Sequence, residues 1–359
     1  MDAFLASKRQ FLDWLRHTAA DTETFFPQPL GEASFQFARV RPDSPLRLED
    51  WDSGTPREAF RASANPVPPG KLLSPPGETL FRFRRDPDGR LEFFPVLDDA
   101  PRIIAGIRPC DLHAIHLLDG IQSAGVPDPH YLSRRGHTTL IAHDCLQPCD
   151  EHCFCDAVGA LRQRQGADLF LTPMEDGLLV EVLSEKGAAL VEGAGFSPCG
   201  DREARLAWAE GQRARPFGRP LPASPEAIAG ILAGSGASPV WREHSERCFS
   251  CGTCNLVCPT CYCFDVSDDI DLAAPAEGRR CRTWDGCMLP DFAQVAGGHD
   301  FRPGTAARQH HRVARKFQYL PRQMATGSHC VGCGRCGHQC TVDIDIYDIV
   351  KDLVERAGP

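Results

Sequence analysis

Apolar positions near the start of the chain recur at helical spacing: Phe4, Leu5, Phe11, Leu12 and Leu15. They predict an amphipathic N-terminal helix. Farther along, the period falls to two. Residues 79–84 alternate around Phe81 and Phe83, and residues 91–97 carry Phe93, Phe94 and Val96. Residues 102–106 read as a buried strand, followed by a helix over 111–118. Residues 138–142 and 169–172 are further short strands, and Gly177–Val182 resembles one arm of a hairpin. Strands interleaved with helices predict an α+β or α/β fold for this part. Residues 41–76 are rich in proline and read as a long irregular segment. Toward the C-terminus helical patterns prevail: 306–318 is a basic helical stretch, and Ile344, Ile346, Ile349, Val350 and Leu353 stand in rough helical register.

Residues 212–240 carry several prolines and small residues, as a connection between domains would. The cysteine content changes there too. Of eighteen cysteines, six precede residue 241 and twelve lie between 248 and 340. An α/β domain at 1–240 and a mainly helical domain at 241–359 are therefore expected, and 359 residues are enough for both. The formal net charge of −9 argues against nucleic acid and anionic membrane surfaces as partners. No stretch approaches the roughly 18 apolar residues of a spanning helix. The N-terminal segment lacks the apolar core and cleavage site of a signal peptide. Abundant cysteine in such a chain points to metal ligation in a reducing compartment rather than a disulfide scaffold, so a cytoplasmic location is expected.

Eight of the cysteines form two copies of one spacing. Cys248, Cys251, Cys254 and Cys258 read C-x2-C-x2-C-x3-C before Pro259; Cys330, Cys333, Cys336 and Cys340 repeat it before Thr341. This is the pattern of a two-cluster bacterial-type ferredoxin, in which three close thiolates hold one [4Fe–4S] cube and the fourth ligates the other. Crossed ligation would give Cys258 to the cube of Cys330, Cys333 and Cys336, and Cys340 to that of Cys248, Cys251 and Cys254. Structural zinc pairs two separated CxxC knuckles instead. The 71 residues between Cys258 and Cys330 suit a helical ferredoxin module better than a compact β/α one. An oxidised cube with four thiolates is anionic, and burying it calls for cations. Arg247, Arg279, Arg280, Arg282, Arg308, Arg312, Arg315, Lys316, Arg322 and Arg335 lie near the motifs, to tune the clusters or to dock an acidic partner.

Further cysteines invite a third cluster. Cys153 and Cys155 form a C-x-C preceded by Cys145 and Cys149; Cys261 and Cys263 form another; Cys287 follows Trp284, and Cys110 sits in RPCD. A third [4Fe–4S] cluster is expected from Cys145, Cys153 and Cys155, with a fourth ligand among Cys110, Cys261, Cys263 and Cys287. His113 and His116 lack the glutamate of an HExxH motif and read as core or surface residues. There is no GxGxxG after a strand, no P-loop and no GxSxG, so a nucleotide site has no support.

CFSCGTCNLVCPTCYCFDV (248–266), RTWDGCM (282–288), VAGGHDFR (295–302) and CVGCGRCGHQC (330–340), with GIRPCDLHAIHLLD (106–119) and DCLQPCDEHCFC (144–155), together resemble one family. It comprises the beta subunits of cytoplasmic NAD(P)-linked [NiFe] hydrogenases, the sulfhydrogenases, and the corresponding iron–sulfur subunit of anaerobic sulfite reductase. The resemblance covers most of the chain. It implies an iron–sulfur subunit, without a substrate of its own, that relays electrons between a flavin subunit handling NAD(P) and a separate catalytic unit. It carries the eight motif cysteines over as cluster ligands, and places Cys110, Cys145, Cys153, Cys155, Cys261, Cys263 and Cys287 on cysteine positions of the family. Thr341 departs from the usual proline, and Cys149 and Cys199 stand outside the shared pattern. CPTCYCFDV and VDIDI favour the hydrogenase over the sulfite reductase. A self-sufficient reductase would need a flavin, sirohaem or active thiol site in residues 1–240, and no motif exists for the first two.

Overall fold

The computed structural model describes every residue except 1, 31–33, 47, 49–64, 271–272, 274–276 and 359. The chain opens with strand β1 (Ala3–Ala6) and helix α1 (Lys8–Asp21). Phe4 and Leu5, expected on the helix, lie instead on the strand. The reason is local: Ser7 caps the helix through Gln10 N–H, and Gln10 returns a bond to Ser7 N–H, so helical geometry starts only at Lys8. β2 (Glu23–Pro29) and β3 (Phe35–Arg39) follow, then the hairpin β4 (Gly77–Arg85) and β5 (Leu91–Pro95). Residues 47 and 49–64 of the proline-rich segment expected at 41–76 lie outside the described residues; Pro69–Leu72 within it forms a 3₁₀ turn.

β6 (Arg102–Ile107), α2 (Pro109–Ser123), α3 (Pro129–Gly136), β7 (Thr138–His143), β8 (Leu169–Met174) and β9 (Gly177–Val182) complete the main sheet with β10 (Ser197–Pro198), which follows α4 (Glu185–Val191). The strand order is β10-β1-β9-β8-β7-β6-β2-β3. β2, β6, β7 and β8 run parallel, and the edges are antiparallel. Parallel strands are buried on both faces, so β6 is buried at every position. Ile103, Ala105 and Ile141 pack on one face with Phe11 and Leu15 of α1. Ile104 and Leu140 pack on the other with Leu112, Ile115 and Leu118 of α2. The strand period of two sends neighbours to opposite cores.

After α5 (Arg202–Gln212) the chain forms α6 (Pro225–Gly234), α7 (Val240–Ser245) and α8 (Thr253–Leu256), then the hairpin β11 (Phe264–Ile270) and β12 (Glu277–Trp284). A small ladder of β13 (Gln294–Val295) and β14 (His299–Asp300) precedes α9 (Thr305–Ala314). A π-helical turn, Arg315–Tyr319, joins α9 to α10 (Leu320–Met324); α11 (Arg335–His338) and α12 (Ile346–Ala357) end the fold. The C-terminal part is thus helical with a long β-hairpin, not helical alone. That hairpin pairs with β4, giving a four-stranded sheet β11-β12-β4-β5 across the expected 240/241 division. α6, on the expected connection, packs Ile228 and Leu232 into one core with Val313, Phe317, Ile349 and Leu353.

A buried ion network ties the two parts together. Arg335, at the start of α11, donates to both carboxylate oxygens of Asp111 on α2 at 2.6 and 2.8 Å, and to Asn65 O at 2.8 Å. Arg108 donates to Asp111 Oδ2 at 2.8 Å. Arg108, Asp111 and Arg335 side chains are wholly buried. Burial opposes the Asp111 charge, yet the two guanidinium groups hold its carboxyl below the usual range. Removing one partner from such a pair strands the other charge, at a cost of about 3–5 kcal/mol. Asp111→Ala is therefore expected to destabilise the protein by about that amount, read as a lower denaturation midpoint, and a loss well under ~1 kcal/mol would mean the network is dispensable.

Candidate metal centre

Both cysteine loops are bent by the same backbone device. Ser250 and Gly252 in the first, and Gly332 and Gly334 in the second, hold φ of 55°, 74°, 62° and 77°. Left-handed residues at these alternate positions turn backbone N–H groups toward the enclosed side. Ser250 N–H donates to Cys248 Sγ at 3.4 Å. α8 and α11 start directly after Gly252 and Gly334, so the two motifs are built alike.

Cys248, Cys251, Cys254 and Cys340 line one cavity, with Met288, Gln309 and Arg312. Cys258, Cys330, Cys333 and Cys336 line a second, with Lys316 and Arg312; Cys254 and Cys261 also reach this wall. The last cysteine of each motif stands at the cavity framed by the other motif's first three. No three Cys, His, Asp or Glu side chains among the described residues converge to hold a single ion. Zinc–sulfur bonds of about 2.3 Å would draw four thiolates to one point; these thiols surround a space instead. Arg312 Nη2 and both ring nitrogens of His329, beside Cys330, are buried with no hydrogen-bond partner among the described residues. The sulfides of a [4Fe–4S] cube would supply the missing acceptors, so the donor set fits that group.

The charges follow one helix face. Arg308, Arg312 and Lys316 recur every four residues on α9 and the π turn, and all three are buried. Lys316 Nζ donates to Thr260 Oγ1, which donates to His329 O at 2.8 Å. Burial works against the Arg312 and Lys316 charges, but the neighbouring thiolates outweigh it and raise both above their ordinary values. Burial pushes the Cys254 thiol up to about 12 and those of Cys333 and Cys336 to about 11. Loading iron must therefore expel protons from these sites. Arg279 and Arg280 lie elsewhere, on the exposed hairpin, paired with Asp269 and Asp268 at 2.7 Å. Arg282 pairs with Glu78 and Asp128.

The remaining cysteines separate into two groups. Cys110, in the first turn of α2, follows β6, and Cys145 follows β7; both stand at the carboxyl ends of parallel strands, where such sheets place their ligands. Cys149, Cys153 and Cys155 come from the next loop. Cys153 and Cys155 share a side-chain hydrogen bond, which holds the Cys153 thiol at about 7, and Cys155 neighbours Cys110 and Cys149. Cys110 and Cys153 pack with Val331 and Cys333, so this group abuts the second cavity. Phe154 N–H donates to Gly332 O at 2.8 Å, and a Cβ on Gly332 would lie 2.5 Å from the Phe154 backbone. Cys149, outside the family pattern, thus stands among these thiols; only its place in the fold reveals it. Cys261, Cys263 and Cys287, expected as alternative fourth ligands for this group, gather separately beside Asn255. Cys199 lies apart, 3.3 Å from Asp201, and Cys281 faces Thr79 across the sheet. His113 and His116 stack loosely, with ring centroids 6.5 Å apart.

Loops of this geometry around two thiol-lined cavities define an iron–sulfur protein of the dicluster type. Residues 247–344 match the family described as 4Fe-4S dicluster domain. The chain is 32% identical over 346 residues to sulfhydrogenase 2 subunit beta of Pyrococcus furiosus, covering 95% of this chain and 99% of that protein. It belongs to the family of sulfhydrogenase beta subunits and is an iron–sulfur electron-transfer subunit. No solved structure matches it. Among the described residues no helix is long and apolar enough to cross a membrane.

Two substitutions test the centre. Arg312 borders both cavities, and a nearby cation favours the more negative, reduced cube. Arg312→Met should lower both midpoint potentials by tens of millivolts in EPR-monitored redox titrations; unchanged potentials would show that its charge is not felt. Gly332→Ala should drive the Cys153–Cys155 loop from the second motif and cut retained iron, while Gly211→Ala on α5, with nothing within 4 Å and no left-handed backbone, serves as the control.

Proposed function

We propose that this subunit carries two crossed [4Fe–4S] clusters and relays electrons within a soluble cytoplasmic hydrogenase complex, between a flavin subunit that handles NAD(P) and the [NiFe] catalytic unit. One observation carries the reading: two thiol-lined cavities, each bounded by the first three cysteines of one motif and the last of the other, share the wall made by Arg312, and a further thiol group abuts the second. The first cluster is assigned to Cys248, Cys251, Cys254 and Cys340, the second to Cys330, Cys333, Cys336 and Cys258. The named relative, from a sulfhydrogenase, favours the hydrogenase over the sulfite reductase. A third [4Fe–4S] cluster is assigned to the group at the strand ends, with ligands drawn from Cys110, Cys145, Cys149, Cys153 and Cys155. Residues 1–240 then serve to seat this cluster against the second one.

The bound cubes supply one-electron storage; what the chain contributes is their charge environment, their burial and their spacing. Cys258→Ser should disturb mainly the second cluster's EPR signal and Cys340→Ser mainly the first's; each variant affecting only its own motif's signal would rule out crossed ligation. The function is tested in a reconstituted complex lacking only this subunit. Dye-linked activity of the catalytic unit should survive while NAD(P)-linked turnover disappears. Strong NAD(P)H oxidation by the isolated chain would make it a reductase instead.

A further inference from the structure

Cys261, Cys263 and Cys287 belong neither to the two motif cavities' eight thiols nor to the group at the strand ends. They meet from two directions. Cys261 and Cys263 follow the first motif directly, whereas Cys287 arrives from the far end of the β11–β12 hairpin. Asp285 N–H donates to Cys263 O at 3.1 Å and closes the hairpin's root over them. Asn255 fixes the geometry. Its Oδ1 accepts from Met288 N–H at 2.9 Å, and its Nδ2 donates to Cys287 Sγ at 3.4 Å and Cys261 Sγ at 3.7 Å. One nitrogen in reach of both sulfurs puts them no more than about 7.1 Å apart. Cys263 neighbours Cys287 and Arg315.

The cations make the second, independent observation. Lys71 is buried, donates to Cys261 O at 2.6 Å, and faces Cys261, Cys258 and Cys263. Its ammonium also lies 4.8 Å from the centre of the Trp284 ring. Lys316, equally buried, faces Cys258 and Cys261, bonds the Cys258 thiol and donates to the hydroxyl of Thr260. Among the described residues neither lysine has a carboxylate partner. A buried ammonium without an anion is costly, and the groups facing these two that can carry negative charge are the thiols of Cys258, Cys261 and, for Lys71, Cys263.

We propose that Cys261, Cys263 and Cys287 hold a further iron–sulfur cluster ligated by three thiolates, separate from the two crossed cubes and from the strand-end group. Three thiolates, amide donors to two of the sulfurs and two buried cations form the surroundings of an anionic cluster, not of inert core thiols. The three match a [3Fe–4S] cluster outright, or a [4Fe–4S] cluster whose fourth iron takes a non-thiolate ligand. Its place beside Cys254 and Cys258, under the root of an exposed hairpin, puts it where electrons would enter or leave the crossed pair.

The inference rests on the iron–sulfur reading above, and iron counting separates the two. The triple variant Cys261→Ser, Cys263→Ser, Cys287→Ser, reconstituted anaerobically, should lose about three or four irons per chain with sulfide in proportion, while the crossed cubes keep their EPR signals. An isotropic signal in the oxidised wild type that vanishes in the variant identifies a three-iron cluster; a signal lost only from the reduced protein identifies a four-iron one. A folded triple variant with unchanged iron overturns this site alone, whereas wild-type protein without iron overturns the whole reading. Lys71→Met, which leaves every thiol in place, covers the case of misfolding. It should move one cluster's midpoint to more negative potential, and identical midpoints for all signals would overturn the inference.

Discussion

An anionic cube buried in protein needs buried positive charge, and that demand organises this chain. Cations are costly to bury as well, so each must be paired or must face the cluster. Arg312 and Lys316 take the second course. They sit four residues apart where α9 passes into the π turn, Arg312 lining both cavities and Lys316 the second. A π turn adds a residue to the helical repeat and commonly marks functional sites. Here it lies where Lys316 meets Thr260 and Arg315 meets the Tyr262 hydroxyl, both just past the first motif. Arg335 takes the first course, pairing with Asp111 although Cys333 is also its neighbour.

That pairing makes the two parts of the chain interdependent. Asp111 belongs to the first turn of α2 and so to the parallel sheet; Arg335 belongs to the second cysteine motif. Cys110 beside Asp111 and Cys333 beside Arg335 are brought into one apolar cluster with Val331. The same contact surface carries Phe154, whose N–H bonds Gly332 O. Any shift of the sheet against the motif would break an ion pair and a backbone bond and separate two thiol groups at once. Rigid spacing of redox sites is what a relay requires, and here it comes from interactions of high cost to break.

Much of this was legible in the sequence because it is local. The eight cysteines, the strands at 79–84, 102–106 and 138–142, and the C-terminal helix each depend on spacing within a dozen residues. What was not legible depends on partners far away in the chain. Nothing in residues 264–284 reveals that their hairpin pairs with the strand at Gly77–Arg85, because antiparallel pairing sets no limit on sequence separation. The composition change at 240 is real, yet it does not show that α6, before it, buries Ile228 and Leu232 against helices beyond it. Phe4 and Leu5 show the opposite failure: apolar spacing alone could not tell a strand from a helix, and the Ser7–Gln10 cap, itself a local signal, decides it.

The surplus cysteines show how far a pattern reaches. C-x-C pairs at 153–155 and 261–263 look equivalent in sequence, and one shared cluster is the economical expectation. Geometry divides them. The first pair faces strand ends and Cys110; the second faces Asn255, Lys71 and Cys287. Both groups touch the second cavity, from opposite motifs: Cys110 through Cys333, and Cys261 through Cys258. In the proposed relay the second cavity would be the junction, and the first, reached through Cys254 and Arg312, a branch from it. A junction reached from two sides can join an electron donor and an acceptor that never meet each other. Such a junction would suit the proposed relay between a nicotinamide-handling unit and a catalytic one.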